Sequence, residues 1–303
     1  MTWDVDYLRD NRDENMGFLS KTLLPDGTEI PGTNFDYNYL QHRKVDVVSS
    51  ALDFILPFEK YKITAGAKVS FTNTRNGINY DTSDPTLVQD DYFRYKEQIY
   101  ALYADYSREY SERFSMQLGL RMEHTCTTGI SEAKDTEDKH DYTRLFPTVY
   151  LLYSPTDGHA LNFSFSNRIS RPSQNMVNPF PFYQNKYTYA CGREDLKPSY
   201  TYNAELGYTL KNNFNVSAYY SYSDDVFFQV VDLDAETNVT SFLWENFMKT
   251  HAFGLNNSYT FRTKWLQAYA QHGVSYRRTT SSAVTTSPEE KGWAYDASLR
   301  NTF

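Results

Sequence analysis

Phe114-Ser115-Met116-Gln117-Leu118-Gly119-Leu120-Arg121-Met122-Glu123 puts five apolar side chains at every second position, with Ser, Gln, Gly, Arg and Glu between them. Successive side chains of a β-strand point to opposite faces, so this stretch reads as a strand with one greasy and one polar side. The same period picks out Tyr61, Ile63, Ala65, Ala67, Val69 and Phe71 against Lys62, Thr64, Gly66, Lys68 and Ser70. It recurs in Leu161, Phe163, Phe165 and Ile169, in Phe214, Val216, Ala218, Tyr220 and Tyr222, and in Phe253, Leu255, Tyr259 and Phe261. Helical periodicity is almost absent. The pattern predicts an all-β chain of about twelve strands, many longer than the five or six residues usual in soluble sheets.

The connections between these strands alternate in kind. Short ones carry turn chemistry: Pro57-Phe58-Glu59-Lys60, Tyr110-Ser111-Glu112-Arg113, Ser154-Pro155-Thr156-Asp157-Gly158, Lys211-Asn212-Asn213 and Arg262-Thr263-Lys264. Long polar ones cover residues 11–35, 80–91, 129–142, 171–199, 231–237 and 282–291. Strict alternation predicts an antiparallel meander with all short turns at one end and all long loops at the other. Charge follows the same division. Residues 80–91, 129–142 and 231–237 together carry −10 against −8 for the chain, so the remainder carries +2.

Composition closes several alternatives. The 303 residues hold 30 Lys and Arg against 38 Asp and Glu, the wrong sign for a phosphate-binding surface, so no nucleic-acid partner is expected. Mean hydropathy is −0.66. The longest apolar candidate, residues 51–58, is interrupted by Asp53 and Pro57, well short of the roughly 20 residues a membrane helix needs. The first residues, Met1-Thr2-Trp3-Asp4-Val5-Asp6, have neither the basic nor the apolar segment of a signal peptide. Two Cys exclude a disulfide-built scaffold and leave at most one bridge, for which Cys126 and Cys191 both fall toward the long-loop end.

An alternating meander can bury its apolar face, as a soluble sandwich or barrel does, or turn it to lipid around a polar interior. Strand length and the size of the polar side chains favour lipid. A membrane crossing takes about 9 to 11 residues at a tilt near 45°, and residues 61–79 and 265–279 exceed it. The polar face carries Lys62, Lys68, Gln117, Arg121, Glu123, Arg168, Asn203 and Glu205, groups that a wide wet lumen would house. Aromatic residues make up 17% of the chain, and Tyr61, Tyr110, Tyr153, Tyr208, Trp265 and Trp293 near strand ends are expected to form the interfacial girdles.

One segment narrows the reading further. Asn167-Arg168-Ile169-Ser170-Arg171-Pro172-Ser173 is followed by Val177-Asn178-Pro179-Phe180 and by Gly192-Arg193-Glu194-Asp195-Leu196-Lys197-Pro198. Pro172 cannot donate to a sheet ladder, so a strand ends at Arg171, and Pro179, Pro181 and Pro198 stiffen the long connection after it. The order of elements resembles the C-terminal barrel of TonB-dependent outer-membrane receptors, particularly the Bacteroidetes outer-membrane barrel family. There a strand ending Ser-Arg-Pro leads to an Asn-Pro segment and then to Gly-Asn-Pro-x-Leu-Lys-Pro before the next strand. Arg171, Pro172, Asn178, Pro179, Gly192, Leu196, Lys197 and Pro198 match, and Tyr202 to Tyr208 resembles the strand that comes next. The departure is Arg193-Glu194-Asp195, where the family has Asn-Pro after the glycine.

The resemblance implies a Gram-negative outer-membrane location, a 22-strand barrel, an N-terminal plug domain and a TonB-contacting segment ahead of it. Residues 1–303 would then be a partial barrel, with the plug absent, that meets outer-membrane lipid, the TonB complex through the missing N-terminal region, and an unknown small ligand. Phe303 after Trp293, Tyr295, Ala297 and Leu299 fits either an aromatic-ended final strand or, as the strand count favours, a chain cut mid-barrel.

No enzyme activity, cofactor or metal constellation is expected. The six His show no H-E-x-x-H spacing, and no G-x-S-x-G, Walker or G-x-G-x-x-G motif occurs. Glu123 and His124 are adjacent on a strand and face opposite ways, so they share no metal. Asp232-Leu233-Asp234 and the acids between Asp135 and Asp141 lack the Gly and terminal Glu of an EF-hand and read as solvated loops. The rival functions are a passive or structural outer-membrane barrel, such as an adhesin or export pore, and a soluble all-β binding protein.

Overall fold

The computed structural model describes residues 1–32, 34–82, 90–283 and 287–302. Phe303 and the centres of the 80–91 and 282–291 connections lie outside the described residues. Twelve strands hydrogen-bond in chain order around a nearly closed wall. They are β1 (Thr2–Ser20), β2 (Phe35–Pro57), β3 (Lys62–Thr82), β4 (Asp91–Ser111), β5 (Phe114–Ser131), β6 (Thr136–Tyr153) and β7 (His159–Ser170), then β10 (Ser199–Leu210), β11 (Phe214–Asp234), β12 (Val239–Arg262), β13 (Gln267–Ser281) and β14 (Glu289–Thr302). Between β7 and β10 the chain forms a short helix, α1 (Gln174–Val177), and a small hairpin, β8 (Phe182–Asn185) with β9 (Thr188–Cys191).

The alternation that predicts strands also sets which face is which. Leu52, Ala67, Leu102, Met122 and Leu145 sit directly opposite one another across β2 to β6. They form one apolar row on a surface that none of the described residues covers: Leu102 is 57% and Leu145 54% exposed. A second row, Leu120 with Ala104 and Pro147, runs beside it. Exposed aliphatic rows of this extent are costly in water, at about 25 cal/mol per Å², and are what a hydrocarbon contact requires.

Aromatic girdles bracket the rows. Near the short turns Tyr61 stacks on Phe58 at 4.5 Å and meets Tyr106 at 5.7 Å, while Tyr110, Tyr153 and Trp265 are exposed. Tyr208 lies at the same end, half-buried and bonded to His159 at 2.7 Å. Trp293 belongs to the opposite girdle, 5.0 Å from Tyr276 and 6.0 Å from Phe253, and on β3 and β4 Phe71 meets Tyr100 edge-on at 5.9 Å. Phe71 and Tyr276 stand nine residues above the first residues of β3 and β13, one bilayer crossing.

The polar phase points inward. There the Tyr103 ring lies flat over Gly66, where a Cβ would come within 2.6 Å of it, and its hydroxyl donates to Asp53 at 2.5 Å. Only a residue without a side chain allows that ring to cross the wall so closely.

Two expectations need correcting. Much of the polar sequence taken as long loop is strand: β1 runs to Ser20, β5 to Ser131 and β11 to Asp234, leaving four-residue turns at 132–135 and 235–238. Above the upper girdle the outer face no longer meets hydrocarbon, so its apolar alternation disappears while the backbone ladder continues. Asp135 (φ 50°) and Asn238 (φ 57°) take the left-handed conformation that these tight turns demand.

The sheet is also mixed, not wholly antiparallel. β13 pairs with β12 only from Met248 downward, and β9 runs parallel to the exposed stretch above it, Thr188 to Cys191 against Thr240 to Leu243. The added strand satisfies a ladder edge that would otherwise stand open.

Candidate functional site

The segment from Arg171 to Pro198 folds back over the mouth of the barrel and ties opposite parts of the wall together. It begins where β7 ends. Arg171 Nη2 donates to Glu123 Oε2 at 2.6 Å and to Thr125 Oγ1 at 3.3 Å, and its Nε lies 3.8 Å from Glu97 Oε2. Arg121 donates to the other Glu123 oxygen at 2.6 Å. Two guanidinium groups and two carboxylates thus meet at the inner wall of β4 and β5. Burial pushes the Glu97 carboxyl above its usual range, an effect that Arg171 opposes and the Glu123 charge reinforces.

Next comes an apolar platform. Phe180 packs edge-on against Phe93 with ring centres 6.3 Å apart, and Val177, Leu196, Ile78, Tyr37 and Tyr39 complete a buried cluster. The Tyr37 and Tyr80 hydroxyls both donate to the Pro181 carbonyl at 3.2 Å, and burial raises both phenols above their ordinary range. Tyr183 reaches the Tyr37 ring at 5.1 Å. At this height the inner face of β2 to β4 is covered by hydrophobic packing and not by water. Wall residues at inward, nominally polar positions turn aromatic here because a piece of the chain, not water, covers them.

Asn178 and Gly192 lock the two arms of the segment. The Asn178 carbonyl accepts the Gly192 N–H at 2.9 Å, Met176 accepts from Arg193 N–H at 2.8 Å, and the buried Asn178 Oδ1 accepts the Phe180 N–H at 3.2 Å. A Cβ on Gly192 would strike the Asn178 backbone, which explains why a glycine sits there although the following Asn-Pro is missing.

The return arm is held by a residue the sequence did not mark. Asn246 Oδ1 accepts the Lys197 N–H at 2.8 Å, and its Nδ2 donates to the Lys197 carbonyl at 2.9 Å and to Asp225 O at 2.7 Å, beside a bulge in β11. Arg193 bridges Asp195 and Glu245, each at 2.6 Å. Glu194 is wedged against the β6 hairpin, accepting from Thr136 Oγ1 at 3.3 Å; burial, then a hydrogen bond with Asp138, raises its carboxyl to about 7.

All of the family-motif residues thus fall within this one segment. Pro172, Leu196, Lys197 and Pro198 join Glu97, Tyr142, Arg144 and Tyr200 around a cavity of about 200 Å³. The sequence missed Glu97, Phe93, Ile78, Tyr37 and Asn246. The only available signal was the break in phase that puts Phe93 and Tyr95 on the same inward face as Glu97.

The remaining candidates resolve simply. Asp234 accepts from Glu236 N–H at 2.9 Å and from Thr237 Oγ1 at 2.7 Å, as a turn residue does. Cys126 and Cys191 are both free thiols. Cys191 donates to the Pro179 carbonyl at 3.0 Å inside the mouth, whereas Cys126 is on the outer face with Met122 and His124.

The whole chain, residues 1–303, matches the outer membrane protein beta-barrel family. It belongs to that family. The protein is accordingly a barrel of the outer membrane, and its wall resembles those of TonB-dependent receptors. Similar solved structures include the copper transporter OprC (11% identity, TM-score 0.58, 96% of this chain and 57% of that one). The ferric citrate transporter FecA matches at 12% identity and TM-score 0.52 over 97% of this chain and 46% of its own. The ferripyoverdine receptor of the Pseudomonas aeruginosa outer membrane matches at 15% and 0.51 over 97% and 41%. At these identities the likeness is one of fold, and the chain spans about half the length of the structures it matches. No curated protein sequence matches it.

Proposed function

We propose that this chain is the barrel portion of a TonB-dependent receptor that imports a scarce nutrient across the outer membrane. The observation that carries the reading is the pair of free edges. Among the described residues β1 and β14 each pair on one side only, and β14 is exposed along its whole length. An open ladder is costly in hydrocarbon, where each unsatisfied backbone group costs several kcal/mol, and in this reading further strands complete the wall. A 22-strand barrel with an N-terminal plug in its lumen supplies them and agrees with the half-length match to receptors for copper, ferric citrate and ferripyoverdine.

In this reading a small ligand is captured at the mouth, where Arg144, Tyr142 and Lys197 line the cavity beside the folded-back segment, and the plug yields when the TonB complex pulls on the N-terminal region. Asn178, Pro179 and Gly192 brace that mouth, while Lys197 also lines the cavity. The test is energy-dependent uptake by cells expressing the complete gene, with and without TonB. Uptake that disappears without TonB supports the reading; uptake unaffected by TonB loss replaces it with a passive pore.

A further inference from the structure

On the outer face of the wall, His124, Cys126 and Asp141 converge. His124 and Cys126 are two residues apart on β5 and so share a face, and Asp141 of β6 stands directly opposite Cys126. His124 Nε2 lies 3.1 Å from Asp141 Oδ1 and 3.3 Å from Cys126 Sγ, and Cys126 Sγ lies 3.5 Å from Asp141 Oδ1. The three potential ligand atoms form a triangle.

From this triangle we infer a binding site for a divalent transition metal of the zinc class, held by His124 Nε2, the Cys126 thiolate and an Asp141 carboxylate oxygen. Bonds of about 2.0 to 2.3 Å to N, O and S put the edges of a tetrahedron at about 3.4 to 3.6 Å. The observed separations are each within a few tenths of an ångström of those edges, so small side-chain rotations would place a metal above the triangle. An imidazole, a thiolate and a single carboxylate suit zinc or cobalt better than calcium or magnesium, which take oxygen ligands. His124 and Asp141 remain open to solvent, leaving the fourth vertex to water. On binding, the thiol proton passes to solvent.

The support around the triangle fits as well. His124 Nδ1 lies 2.9 Å from Thr143 Oγ1, a hydrogen bond that leaves Nε2 as the ligating nitrogen. The ring also sits 6.3 Å from Tyr100 in the upper girdle. A metal here would clamp β5 to β6 where the wall emerges from the membrane, on the side opposite the Glu123–Arg171 contact.

The test is titration of the purified protein, in detergent micelles with its thiols reduced, with Co²⁺ and then Zn²⁺. The expected result is a single equivalent of cobalt with a thiolate-to-cobalt charge-transfer band in the near ultraviolet, bleached by zinc. Cys126→Ser should abolish the band and Cys191→Ser should keep it. Thr143→Val should weaken binding by about 10-fold, the lower end of the effect of losing such a hydrogen bond. Heat-modifiable mobility on gels shows which variants are folded; should Cys126→Ser not fold, His124→Gln replaces it, with an affinity loss of at least about 10-fold expected. Cobalt bound without the band, a band that survives in Cys126→Ser, or unchanged affinity in His124→Gln would each overturn the assignment.

Discussion

Below Tyr100 and above it, the same β4–β5 hairpin obeys two different sets of rules. In the lower part the outer face is a row of Leu102, Leu120 and Met122 and the inner face is polar, so hydrocarbon and water divide the side chains between them. In the upper part Phe93 and Tyr95 turn inward against a folded-back piece of chain, while His124 and Cys126 turn outward. The ladder of backbone hydrogen bonds is continuous through both. The pleat only alternates side chains between two sides; what each side touches decides which residues stand there.

Several substitutions should separate the two regions. Phe180→Ala removes a buried ring from the mouth and is expected to cost about 3 to 5 kcal/mol of docking of the 171–198 segment. Hydrogen exchange would show it as lost protection in β8 and β9 with the lower strands unchanged; equal loss in both regions would mean that they unfold as one unit.

Leu120→Arg places a charge at mid-membrane depth and is expected to cost about 2 to 4 kcal/mol in urea unfolding from lipid vesicles. Gln117→Arg, three residues away on the inner face, should change little by the same assay. Asn246→Ala, which frees two carbonyls and one N–H of the return arm, is expected to cost about 1 to 3 kcal/mol, again confined to the mouth.

The smallest effect concerns acidity. With the Glu194 carboxyl raised to about 7 by burial and by Asp138, the native state holds a proton that the unfolded chain has released. Contact between this segment and β6 should therefore be complete below the ordinary glutamate range, about pH 4.5, and weaken as the pH rises through about 7. Exchange at residues 136–138, measured across that range, should show the trend, and Glu194→Gln should flatten it.

The lower region was legible because lipid imposes a strict period of two. Phe114 to Glu123 alone gives the strand and its two faces, and strand length with the large polar side chains then favours lipid as the surroundings of the apolar one. The upper region was legible only where proline and glycine mark the backbone: Arg171-Pro172, Asn178-Pro179 and Gly192 located the segment but not its partners. Glu97, Phe93 and Asn246 lie 49 residues or more along the chain from Arg171, Phe180 and Lys197, the residues they meet, and such pairs cannot be read from local pattern. The outward cluster shows the same limit. Rejecting Glu123 with His124 as a metal pair followed from alternation, yet alternation equally puts His124 and Cys126 on one side. Asp141 was hidden in a stretch read as loop that is in fact strand.

The lipid assignment of the outer face can be measured position by position. Nitroxide labels placed singly at residues 114 to 122, in protein reconstituted into lipid vesicles, report collisions with oxygen, which concentrates in hydrocarbon, and with a water-soluble nickel complex. Even-numbered positions should favour oxygen and odd-numbered positions nickel, alternating at every step. Even-numbered labels shielded from both reagents would show that protein covers the apolar rows, and the membrane barrel would be excluded.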